Sequence, residues 1–213
     1  VTMVVAVAPE FAPDAATPEC FATNYYFDRT HGINAIKVLP GEFYATPKNL
    51  LLVTVLGSCV AACIRDPELG IGGMNHFMLP DSDAAGPAGN AARYGSYAME
   101  MLINHLIKLG AVRARLEAKV FGGGAVIAGM TQTNVGERNA AFVLKFLRTE
   151  GIRVVARDLN DIYPRKVYFF PASGRVMVKK LRNMHNNTIV EREISYRSRL
   201  IREPAGGEVE LFV

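Results

Sequence analysis

The chain has 213 residues, half of them hydrophobic, which is enough to bury a full core and fits one large domain better than two small ones. Its formal net charge is only +4, and three cysteines, an odd number, argue against a disulfide framework and for a reducing compartment. The apolar stretch Val1–Ala8 is far too short to span a bilayer and runs into Pro9-Glu10, so membrane insertion is excluded and a soluble, cytoplasmic protein is expected.

Residues 1–24, with Pro9, Pro13 and Pro18 among alanines and short polar residues, have no sustained period and read as a flexible leader. Order is expected from Tyr25. Short apolar or β-branched runs at Ala35–Leu39, Leu50–Val55, Val60–Ile64 and Ile71–His76 alternate with Pro40-Gly41, Gly57 and Asp66-Pro67, which predicts four strands. The small polar residues from Asp81 to Asn90 read as a loop. Beyond it Tyr94, Tyr97, Ala98, Met101, Leu102, His105, Leu106 and Leu109 recur at helical spacing, with Gly110 as the stop. His105 on that stripe reads as a partly buried helical residue.

Glu117–Phe121 predicts a further strand running into Gly122-Gly123-Gly124, and a second helix begins near Gly136-Glu137, turns Ala140, Val143, Leu144 and Leu147 inward, and ends at Gly151. Val154–Leu159 reads as a strand, and Lys166–Phe170 and Arg175–Lys180 flank the hairpin signal Pro171-Ala172-Ser173-Gly174. Many strands with two inserted helices predict a single α+β domain of packed mixed β-sheets with helices on the outer face.

Cys59 is the residue with the most chemical content. It follows a buried strand on a Gly57-Ser58-Cys59 turn, and His76 follows a second apolar run at Gly72-Gly73-Met74-Asn75-His76. A thiol on a turn at a strand end, with an imidazole on a neighbouring strand, has the composition of an activated nucleophile. The competing structural readings are a small core hydrophobe for the cysteine and a hydrogen-bonded core residue for the histidine. Cys63, with no glycine beside it, has packing as its default. Cys59 and Cys63 spell Cys-x-x-x-Cys, but a structural zinc site wants four ligands and the remaining cysteine is Cys20 in the leader, so no metal is expected.

The triple glycine lacks the spacing of a P-loop or a dinucleotide fingerprint. Close backbone packing against the Cys59 turn explains it better, and it could also line a substrate cleft. Basic residues gather late, at Arg175, Lys179, Lys180, Arg182, Arg192, Arg197, Arg199 and Arg202. No nucleic-acid motif accompanies them, so they read as a solvated or acid-seeking face and no nucleic-acid partner is expected.

Four segments in order, Leu56-Gly57-Ser58-Cys59-Val60, Gly72-Gly73-Met74-Asn75-His76-Phe77-Met78-Leu79-Pro80, Lys119-Val120-Phe121-Gly122-Gly123-Gly124-Ala125 and Asn134-Val135-Gly136-Glu137-Arg138-Asn139, resemble the chemoreceptor glutamine deamidases, the CheD family. The likeness runs from about residue 25 to about residue 200, which implies a leader over 1–24, a deamidase domain over 25–200 and a tail over 201–213.

The resemblance implies that Cys59 is the nucleophile and His76 the general base, at the family's spacing. The family's third catalytic residue is a threonine shortly before the cysteine, and Thr54 is the only threonine in that strand. The Ser58-Cys59 turn supplies natural oxyanion donors, with Gly122 and Gly123 as further candidates for the cleft. No metal or cofactor is implied. The implied substrate is a set of glutamines on the cytoplasmic helices of bacterial chemoreceptors, hydrolysed to glutamate with release of ammonia to tune adaptation, and a CheC-type phosphatase is an implied partner. Two other functions compete: a non-catalytic adaptor, against which intact Cys59 and His76 argue, and a toxin-like deamidase of small GTPases, against which the absence of a delivery region argues.

Overall fold

The computed structural model describes residues 21–79, 89–126 and 135–182, with residues 191, 194–196 and 198. The predicted leader up to residue 20, most of the predicted loop (81–88) and the predicted tail (201–213) lie outside the described residues, as do Arg192, Arg197, Arg199 and Arg202 of the basic run.

Strands β1 (Asn24–Asp28), β2 (Ile33–Lys37), β3 (Phe43–Thr46), β4 (Leu51–Leu56), β5 (Val60–Asp66) and β6 (Ile71–Asn75) come first. Helix α1 (Gly89–Lys108), strand β7 (Glu117–Gly122), helix α2 (Val135–Thr149) and strands β8 (Arg153–Leu159), β9 (Arg165–Phe170) and β10 (Arg175–Lys180) follow. They form two five-stranded mixed sheets, ordered β1-β2-β4-β9-β10 and β3-β6-β5-β7-β8. Both helices cover the outer face of the second sheet: Leu102, Ile103 and Leu106 of α1 and Val143 and Leu147 of α2 pack with Val60, Ala62 and Ile64 of β5. The predicted α+β architecture with outer helices is the one observed. No helix among the described residues is long and apolar enough to cross a membrane.

The period of two along the strands sorts side chains between layers. In β4, Leu52 and Leu56 face the second sheet, while Leu51 and Val53 belong to a separate cluster on the outer face with Ala35 and Phe170. In β5, Ala61 and Cys63 point between the sheets, and their neighbours point to the helices. Each fully buried leucine in the inter-sheet layer contributes about 1.5–3 kcal/mol by leaving water.

The differences from the sequence reading are local. β1 and β3 were not predicted, because Asn24–Asp28 and Phe43–Thr46 are short aromatic runs without clean alternation. Packing begins before Tyr25, since Phe21 bridges to Phe43 and Ala22 is fully buried. α1 starts at Gly89, inside the predicted loop, because the strong helix formers Ala91 and Ala92 extend it backward. Its buried face is also rotated: Met99 and Ile103 are buried and Tyr97 is exposed, since apolar residues surround much of this helix and the sheet selects one side. His105 packs against the rings of Phe21 and Phe43, and burial, with Lys108 nearby, lowers its pKa. Of the late basic residues, Arg175 lies over the Phe170 ring and Lys180 pairs with Asp161, so part of the predicted charged face is engaged within the fold.

Candidate active site

The chain passes from the first sheet to the second between Leu56, the last residue of β4, and Val60, the first of β5. Gly57, Ser58 and Cys59 make that passage. β6 and β7 both run antiparallel to β5, so they end where β5 begins, and Arg165 at the start of β9 pairs with Leu56 at the end of β4. The ends of β4, β6 and β7 and the starts of β5 and β9 therefore gather at one end of the sandwich.

The register brings the candidate residues together. Cys63 pairs with Met74, and Val60 bridges to Phe77 in the same register, which puts Ala61 opposite His76. Cys59, two residues from Ala61 on the same face, is thus the diagonal neighbour of His76. Between these pairings the ladder opens: Ala62 N–H donates to the Asn75 side chain at 2.9 Å, and His76 N–H turns to the Glu42 carbonyl at 2.9 Å. Thr54 lies on the same face of β4 as Leu52 and Leu56 and so points between the sheets toward both.

Thr54 Oγ1 lies 2.8 Å from His76 Nδ1 and 2.7 Å from the Val38 carbonyl oxygen. The hydroxyl has one proton and the carbonyl can only accept, so Thr54 donates to Val38 and accepts from Nδ1–H. In the neutral ring Nε2 is then the basic nitrogen. Cys59, His76, Thr54 and Ser58 are all buried, so the turn carries its thiol beneath the surface. Cys63 is also buried, and its thiol pKa is pushed up by burial, the behaviour of a packed residue.

The glycines hold the Cys59 turn, the close packing expected of them. Gly122 has φ +112°, and a Cβ there would stand 2.2 Å from the Cys59 carbonyl oxygen. Gly123 N–H donates to the Cys59 carbonyl and Gly124 N–H to the Gly57 carbonyl, both at 2.8 Å. The Gly123 amide is thereby committed to the Cys59 turn. On the far side of this loop, the fully buried Arg165 donates to the Gly122 carbonyl at 2.7 Å and also to the Asn160 carbonyl.

Two residues at this end were given no role from sequence. Arg165 had no signal beyond its place at a strand start. Asn139 did have one: it is a polar residue on the inward stripe of α2, among Gly136, Ala140 and Val143. Its Nδ2 donates to the Ser58 carbonyl at 2.8 Å, and its Oδ1 accepts from Leu79 N–H at 2.9 Å.

Residues 78–180 match the family model described as CheD chemotactic sensory transduction. A protein of Methylobacillus flagellatus named probable chemoreceptor glutamine deamidase CheD is 63% identical over 91% of this chain and 97% of its own. A protein of the same name from Herminiimonas arsenicoxydans is 63% identical over 92% of this chain and 98% of its own, and one from Shewanella oneidensis, named probable chemoreceptor glutamine deamidase CheD 1, is 58% identical over 89% and 93%. Identity at this level, over nearly the whole of each chain, means that the chain belongs to the CheD family.

Proposed function

We propose that the chain is a cysteine-dependent protein-glutamine deamidase that converts glutamine side chains of chemoreceptors to glutamate. The observation that carries the reading is the Val38–Thr54–His76 hydrogen-bond chain, with His76 diagonal to Cys59. The names of the closely similar relatives supply the substrate class.

A primary amide is a poor electrophile and its nitrogen a poor leaving group, so the reaction needs a thiolate, a returnable proton and donors for the developing oxyanion. His76 Nε2 takes the Cys59 proton, and the thiolate attacks the side-chain carbonyl carbon of glutamine. The tetrahedral oxyanion is met by backbone N–H groups of the Ser58-Cys59 turn. The imidazolium returns its proton to the amide nitrogen, ammonia leaves, and a thioester remains. Water, deprotonated by the same nitrogen, then attacks the thioester, which collapses to glutamate and the Cys59 thiol. Thr54 holds the ring in the tautomer that keeps Nε2 basic throughout.

The same reading gives the domain as residues 25–200, extended by the packing of Phe21 and Ala22, and a cytoplasmic location where receptor signalling helices are reached. A CheC-type phosphatase is its expected regulatory partner. The test is incubation of the protein with a receptor cytoplasmic fragment in heavy-oxygen water, followed by peptide mass spectrometry. Glutamate carrying the heavy oxygen at particular former glutamines is the expected result. Tight binding with no conversion over long incubation would instead establish an adaptor.

A further inference from the structure

We infer that Asn139 is a positioning residue for this reaction: its carboxamide fixes the Ser58–Cys59 peptide and so aims the Cys59 N–H at the developing oxyanion. The inference deepens the deamidase reading and rests on it.

The three successive carbonyls of the turn are each held from outside it. Gly57 O accepts from Gly124 N–H, Ser58 O from Asn139 Nδ2 and Cys59 O from Gly123 N–H, all at 2.8 Å. In a planar trans peptide the C=O and the following N–H point in opposite directions, and no peptide bond among the described residues is cis. Holding Ser58 O therefore sets the direction of the Cys59 N–H, and holding Gly57 O sets that of the Ser58 N–H. The next amide along cannot share the work, because Val60 N–H donates to the Phe77 carbonyl at 3.0 Å. Of the three anchors, only Asn139 is a side chain.

Asn139 is fully buried, and its two ends do different things. Leu79 N–H can only donate, which makes the atom facing it Oδ1 and leaves the NH2 for Ser58. One carboxamide thus joins the turn bearing Cys59 to the segment that follows His76. α2 comes close enough to do this because its second residue is Gly136, where a Cβ would stand 2.3 Å from the Gly123 carbonyl oxygen. Aspartate matches the shape and keeps an acceptor for Leu79, but it offers no N–H to Ser58 and sets two acceptors against each other.

The experiment compares the full chain with Asn139→Asp and Asn139→Ala, the second guarding against misfolding of the first. Turnover of a receptor fragment should fall by about a hundredfold or more, the loss typical of one oxyanion donor, with KM little changed. Alkylation of Cys59 by iodoacetamide passes through no oxyanion, so its rate and pH profile should stay within about threefold of wild type. Equal losses in turnover and alkylation, or turnover within about threefold of wild type, would overturn the inference. Hydrogen exchange in the peptide covering residues 57–61 gives a readout independent of catalysis and should quicken by about tenfold or more in Asn139→Asp. Unchanged exchange would overturn the inference by itself. A wild-type protein that converts no glutamine would remove the deamidase reading, while exchange would still decide whether Asn139 holds the turn.

Discussion

Thr54 Oγ1 sits 2.8 Å from His76 Nδ1 and 2.7 Å from the Val38 carbonyl, so a single hydroxyl on one sheet orients an imidazole on the other and decides which nitrogen carries its proton. The direction is forced by Val38, which can only accept. Had Thr54 no second partner, either tautomer would be compatible with the contact. The bond also spans the two sheets at the end where the Cys59 turn crosses between them.

The first prediction tests that orientation. Thr54→Val keeps the branched shape without the hydroxyl, and Thr54→Ser keeps the hydroxyl without the methyl. If orientation is the role, Thr54→Val should lower kcat by about ten- to a hundredfold, below the roughly hundred- to ten-thousandfold that a general base itself supplies. Thr54→Ser should recover most of that loss, and KM should change little in either variant. Equal activity in Thr54→Val and wild type would take the hydroxyl out of the mechanism.

The two buried thiols give the second prediction. Cys59 ends a turn whose carbonyls are all anchored, whereas Cys63 lies mid-strand with its thiol pKa pushed up by burial. Cys59→Ala should abolish deamidation with the fold retained, and Cys63→Ala should keep most of it. Of the pair, Cys59 should be alkylated first at neutral pH, as site-resolved mass spectrometry would report. Preferential loss of activity in Cys63→Ala would reverse the assignment.

How far the sequence reaches follows from the same residues. The glycines near Cys59 and the family motifs pointed to Cys59, His76 and Thr54 as candidates, and the helical periods located α2 closely. Asn139 could be placed on α2 but not assigned a partner, because Ser58 and Leu79 come to it through strand order and sheet crossing, neither of which has a local signature. The same holds for Arg165, whose acceptors, Gly122 at the end of β7 and Asn160 just after β8, are brought side by side only by the parallel pairing of those two strands. The buried face of α1 was misjudged for a related reason: periodicity gives a helix an apolar side but does not choose between two overlapping ones. β1 and β3 escaped because short aromatic runs owe their strand conformation to their neighbours.

The third prediction concerns Gly122. Its φ of +112° and the 2.2 Å approach of a Cβ to the Cys59 carbonyl oxygen both oppose any other residue. Gly122→Ala should destabilise the fold by about 1–3 kcal/mol through backbone strain alone, and should lower turnover further by displacing the Cys59 turn. Gly151, with φ +69° and open space around its Cβ direction, serves as the control. Gly151→Ala should show the backbone penalty in chemical denaturation with turnover unchanged. A Gly122→Ala protein as active as Gly151→Ala would mean that the turn tolerates being pushed.

The last prediction is a pH dependence of stability centred on Asp66, at the far end of β5 from Cys59. Its carboxylate is fully buried, and burial alone pushes a carboxyl pKa upward. The Arg115 guanidinium, bonded at 3.0 Å through Nε and 2.7 Å through Nη2, together with the amides of Val112, Leu69 and Glu68, outweighs burial and holds the pKa down at about 2. These bonds tie the β5–β6 turn to the segment leaving α1. Because the folded pKa lies below the ordinary 3.8, the ionised carboxylate favours the folded state. Its stabilisation is complete above about pH 4 and is lost as pH falls from there toward about 2. Asp66→Asn should therefore lower the unfolding midpoint at pH 7, and the gap between variant and wild type should narrow progressively below pH 4, as denaturant titrations at stepped pH would measure. A gap that stayed constant down to pH 2 would mean that Asp66 stabilises through shape and neutral hydrogen bonds rather than through its charge.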